Sequence, residues 1–117
     1  MDTATYEEII NSGTVLDGTT LNITIKELHA RKEAGLVAVL QRILAHNAVE
    51  KPPRPAGTFD TSPTWYRIDL PAESAAAIAD LFLALEAEHA GEGDKPAPME
   101  LFYGNLADKW MPFSYPL

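Results

Sequence analysis

The sequence predicts an α+β fold: a two-layer sandwich of about four mostly antiparallel strands, with two main helices on one face and a short N-terminal helix. Three observations lead there. Asp17-Gly18 stands between two β-prone runs, which is the pattern of a hairpin turn. Residues 65–70 and 99–103 read as further strands. Two longer stretches carry apolar side chains at helical spacing. The 117 residues are enough for one core and too few for two, so residues 1–117 are expected to form a single domain, with irregular loops near 47–64 and 91–98.

The first helix is expected over residues 6–11. Thr5 and Glu8 make a capping box, Ile9 and Ile10 supply buried contacts, and Gly13 supplies a left-handed stop. Thr14-Val15-Leu16 and Thr19 to Ile25 then form the hairpin arms. In the second arm Leu21, Ile23 and Ile25 alternate with Thr20, Asn22 and Thr24, giving one apolar and one wet face. Thr24 with Glu27 is a second capping box, so a helix is expected from there to His46, with Leu28, Leu36, Leu40, Ile43 and Leu44 as its stripe and Gly35 as the point where it can divide in two.

Pro52, Pro53, Pro55 and Pro63 make residues 47–64 an extended loop. Its segment Lys51-Pro52-Pro53-Arg54-Pro55 has the basic polyproline character that aromatic grooves recognise, and a stiff surface connection is its plainer reading. Trp65 to Leu70 alternates as a half-buried strand. Pro71 starts the best-marked helix, whose seam is Ala75, Ile78, Phe82 and Leu85, with Leu81 and Leu83 making its middle apolar nearly all round. After a loop at 91–98, Met99 to Tyr103 is expected as the last strand, followed by a helical turn over 105–111 capped by Asn105.

Composition excludes more than it assigns. Nine Lys and Arg against 17 Asp and Glu give a net charge of −8, the opposite of a nucleic-acid footprint. Residues 24–44 imitate a helix-turn-helix, but the second helix would read Leu36-Val37-Ala38-Val39-Leu40, made for a core rather than for base edges. Direct nucleic-acid binding is therefore not expected. Zero cysteines remove disulfides, thiolate metal sites and a cysteine nucleophile. The N-terminus lacks the basic-then-apolar order of a signal peptide, and no apolar run approaches the roughly 20 residues of a membrane span, so a cytoplasmic, membrane-free protein is expected.

No constellation for chemistry stands out. His29, His46 and His89 are far apart in sequence and in no metal-ligand spacing. Glu86, Glu88, Glu92 and Asp94 cluster around His89 but lack a calcium-loop pattern, and a solvated face explains them. No serine stands in a nucleophile elbow and no glycine-rich phosphate loop is present. The expectation is a protein without catalytic, cofactor or metal residues.

The aromatic distribution is the positive signal. Of ten aromatic residues, five fall between positions 102 and 115: Phe102, Tyr103, Trp110, Phe113 and Tyr115. Together with Met111, Phe59, Trp65 and Tyr66 they are the candidate interaction surface, because interfaces are rich in these residue types. Closure of the domain's own core is the competing explanation of the C-terminal cluster. Residues 1–46 carry six acids and four bases, net −2, while residues 47–117 carry eleven and five, net −6. The expected function is that of a small acidic protein acting through protein–protein interaction, an inhibitor, regulator or assembly subunit such as the accessory proteins of phages or their hosts. Its partner would be another protein with a basic surface, or a second copy in a homodimer. Two alternatives are a small-ligand module with Trp65, Tyr66, Phe102 and Tyr103 walling a pocket, and a small enzyme using scattered acids and histidines.

Overall fold

Asp17 decides how the first part of the chain folds. Its carboxylate accepts hydrogen bonds from the backbone N–H of Thr20 at 3.1 Å and from the Thr20 hydroxyl at 2.7 Å, which makes it a helix N-cap rather than a hairpin corner. Helix α1 therefore runs from Gly18 to Ala30, through the residues expected to form the second hairpin arm. The computed structural model describes residues 8–51, 57, 63–90 and 97–114, and the chain divides into two compact units, Met1–Asp69 and Leu70–Leu117.

In the first unit, α1 buries Leu21, Thr24 and Leu28, a helical i, i+3, i+7 row that overrides the alternation of Leu21, Ile23 and Ile25. Thr24 caps nothing. It lies inside the helix, where its hydroxyl donates to the Thr20 carbonyl at 2.8 Å and is satisfied without leaving the core. A turn at residues 31–33, with Lys32 at φ 60°, separates α1 from helix α2, Ala34–His46, so the long helix does divide, just before Gly35. Val37, Leu40 and Ile43 are the buried face of α2.

Strand β1, Val15–Asp17, pairs antiparallel with β2, Trp65–Arg67, in the register Val15 to Arg67, Leu16 to Tyr66 and Asp17 to Trp65. The far side of β2 meets the stretch just after α2. The Val49 N–H donates to the Trp65 carbonyl at 2.7 Å and the Arg67 N–H to the Asn47 carbonyl at 3.0 Å, with Ala48 bridged to Tyr66. The expected loop over 47–64 thus begins with ordered backbone, while residues 52–56 and 58–62 lie outside the described residues. Val15 and Val49 form a small buried cluster on which Ile9, Ile10 and Trp65 pack. Residues 8–10 are helical and Gly13 has φ 78°, as the stop signal required; Tyr6 lies outside the described residues.

The second unit is a helical hairpin. Helix α3, Ala72–Glu88, follows Pro71 and buries the expected seam of Ala75, Ile78, Phe82 and Leu85. It is not covered all round, since Leu83 is exposed. Helix α4, Pro98–Trp110, places Pro98 in its first turn and ends in a 3-10 turn, Met111–Ser114. Tyr103, Leu106, Ala107 and Trp110 are its buried row, so the expected strand over 99–103 and the Asn105 cap are both replaced by one continuous helix.

Helix accounts for 69% of the described residues, and the two-strand antiparallel sheet is the only sheet among them. The expected sandwich with about four strands is therefore overturned. The first arm survives as strand β1, while the second arm at 19–25 and the strand signal at 99–103 lose to the Asp17 cap, to Pro98 in the first turn of α4 and to helical burial rows that each contain a polar or small residue.

Candidate functional site

The nine residues expected to form an interaction surface do not share one environment. Phe59 and Tyr115 lie outside the described residues. Trp65 is half-buried against Val15 and Val49, and Tyr66 is half-buried against Gly18, so both serve the packing of the first unit. Tyr103 and Trp110 are core residues of the second unit, and Met111 and Phe113 are half-buried in the closing turn, with the Phe113 ring edge-on to Trp110 at 6.1 Å. Much of the C-terminal aromatic cluster is thus the unit's own closure. Among the described members, Phe102, at 37% exposure, is the one that faces solvent.

Around Phe102 the first turns of α4 expose two further apolar side chains, Met99 at 43%, which belongs to the same interface-like stretch of sequence, and Leu101 at 54%, which sequence reading left out. Met99 and Phe102 are neighbours at i, i+3, and Leu101 points away from the buried row of Tyr103, Leu106 and Trp110. Leu101, Asn105 and Asp108, at i, i+4 and i+7, are all exposed and form the outer face of the helix. The signal for this was available: once residues 98–110 are set on a helical period, Leu101 falls opposite the aromatic row.

The patch rests on a stiff support. The Phe102 ring meets Tyr103 edge-on at 5.2 Å, and Tyr103 lies between Phe82 at 6.2 Å and His89 at 5.3 Å, near-parallel to both. These contacts tie the start of α4 to the last two turns of α3. Midway along, the Glu86 carboxylate lies over Gly104, in the space a β-carbon there would take.

Comparison of the chain with protein-family models, with curated proteins and with solved structures finds no match in any of the three. The site is therefore read from its own geometry. His29, His46 and His89 are each exposed, and no group of three or more metal-ligating side chains occurs among the described residues. Of the acidic cluster, Glu86 lies in the α3–α4 seam and Glu88 is exposed, while Glu92 and Asp94 lie outside the described residues. No helix among the described residues is long and apolar enough to cross a membrane.

Open depressions occur among the described residues of the first unit. One, of about 290 Å³, lies at the α1–α2 turn between His29, Lys32, Val37 and Gln41; the other, of about 450 Å³, lies between Ile9, Thr14, Arg67 and Ile68. Neither is walled by the aromatic residues expected to line a ligand pocket.

Proposed function

We propose that this chain is a small acidic protein that works by docking onto another protein, without catalysis, and that the outer face of α4 is where it docks. The observation that carries the reading is the exposure of Met99, Leu101 and Phe102 within one turn of α4. Single apolar residues on a surface need no explanation; here Phe102 has Met99 beside it at i, i+3 and Leu101 on its other flank, so apolar side chains edge the exposed side of the first turns of α4. The Phe102 ring packs on Tyr103, which is itself packed on Phe82 and His89, so that ring loses little conformational freedom on binding. A soluble, cytoplasmic protein with a basic protein partner fits this role.

Capture from an extract of the producing cells, using the wild type, Leu101→Asp and the control Gln41→Glu on α2, tests it. Proteins held by the wild type and by the control should be lost with Leu101→Asp. The same proteins held equally by all three would remove α4 from the docking role.

A further inference from the structure

Helix α1 closes on an unusual residue. The Lys32 N–H donates to the His29 carbonyl at 3.1 Å and the Glu33 N–H to the Leu28 carbonyl at 3.0 Å, the paired bonds that end a helix on a left-handed residue. Glycine is the ordinary occupant of that position; here it is Lys32, at φ 60°. Lysine in this conformation costs stability that glycine would not, and what it supplies is a cation at the rim of the open depression of about 290 Å³ between α1 and α2. His29 of α1 and Gln41 of α2 share that rim, and Val37, buried, is the floor beside the small, exposed Ala38. The side chains of His29, Lys32 and Gln41 have no hydrogen-bond or ion-pair partner among the described residues. The surrounding charge has the same sign as Lys32. Residues 18–46 carry four bases and two acids, net +2, in a chain of net −8, and one of those acids, Glu27, is already paired with Arg31.

We propose that this depression binds a small organic anion, a carboxylate on an apolar stem of about four to six carbons, with the stem over Val37 and Ala38 and the carboxylate taken by Lys32, His29 and Gln41. An apolar floor ringed by unpartnered donors suits a molecule with one apolar and one charged end. A cationic ligand would be repelled by Lys32, and a wholly apolar one would cover the donors without satisfying them. Glu33 is the acid in the lining; it opposes an anion, so its removal strengthens the site. The site lies within the first unit and stands or falls independently of docking on α4.

The test titrates the full chain, labelled for amide NMR, with hexanoate, hexylamine and acetate. Hexanoate should bind with a Kd on the order of 1 mM, its shifts gathered at residues 29–41, and the other two should bind about tenfold more weakly or worse. Lys32→Gly should raise the melting temperature by a few degrees and weaken hexanoate about fivefold; a lysine of purely structural consequence would give the first change without the second. Glu33→Gln should tighten hexanoate about twofold, and Ala38→Glu, at an exposed helical position, should weaken it about tenfold in a chain that melts as the wild type does. Hexylamine or acetate binding as tightly as hexanoate overturns the ligand class. Shifts outside residues 29–41, or a hexanoate affinity unchanged by Lys32→Gly or Ala38→Glu, overturn the site. No saturable shift with any of the three compounds overturns both.

Discussion

The ring of Tyr66 lies against Gly18, its Cε1 3.1 Å from where a β-carbon on Gly18 would stand. The Gly18 N–H also donates to the Thr64 carbonyl at 2.9 Å, so the first residue of α1 is clamped to the strand that carries Tyr66. Gly18 thus serves a close approach of helix start and sheet rather than the corner of a hairpin. Gly18→Ala should destabilise the chain by about 1 kcal/mol, because a methyl group forced into a filled space displaces its neighbour. In a Tyr66→Ala background the penalty should vanish. Urea unfolding of the four-member cycle measures it; an equal penalty in both backgrounds would show that the ring is not what Gly18 accommodates.

Asp17 is the residue whose role differs most from its sequence reading. Asp17→Ala should lower stability by about 1 kcal/mol through loss of the cap on Thr20, while Asp17→Asn should lose less, since Asn caps nearly as well. Chemical denaturation of both variants checks the order. Equal losses would mean that the cap is not the source of the effect.

Gly104 contrasts with Gly18. The group that a β-carbon would meet there is the tip of a flexible side chain, the Glu86 carboxylate, which can swing away. Removing that side chain as well leaves only the gain from replacing glycine inside a helix, so the Glu86→Ala, Gly104→Ala double variant should be about 1 kcal/mol more stable than the wild type. A double variant less stable than the wild type in thermal and urea unfolding would show that the close α3–α4 approach depends on Gly104 for another reason.

The aromatic residues at the C-terminus should separate into two groups. Trp110→Ala and Phe82→Ala, both at positions with no exposed surface, should each cost about 3–5 kcal/mol. Phe102→Ala, at an exposed position, should cost about 1 kcal/mol or less. Urea midpoints of the three variants suffice, and a large loss at Phe102 would place that ring in the core.

How far the fold was legible follows from how clearly each helix shows its period. The α3 seam of Ala75, Ile78, Phe82 and Leu85 contains no polar residue and reads directly as a helix. In α1 the buried row includes Thr24, whose hydroxyl is satisfied by the Thr20 carbonyl, and a polar residue in the row hides the helical period behind the alternation of Leu21, Ile23 and Ile25. Asp-Gly compounds this, since the same dipeptide serves a turn and a capped helix start. In α4 the run Met99 to Tyr103 has strand-like composition, and its helical period appears only when the row is followed on to Leu106 and Trp110. The candidate site was legible as a region and not as residues. Aromatic clustering pointed to the C-terminus, but which rings close the core and which face solvent depends on the helical phase of residues 98–110, and the strand assignment put that phase out of reach.

The most direct test of the account is the affinity of the wild type and of Leu101→Asp for one partner protein captured through the wild-type chain, measured alongside their unfolding midpoints. The account predicts unchanged stability, because Leu101 is 54% exposed, and affinity reduced by about tenfold or more, as for an apolar anchor of an interface. Unchanged affinity with unchanged stability would contradict it, and would leave the exposed turn of α4 as ordinary surface.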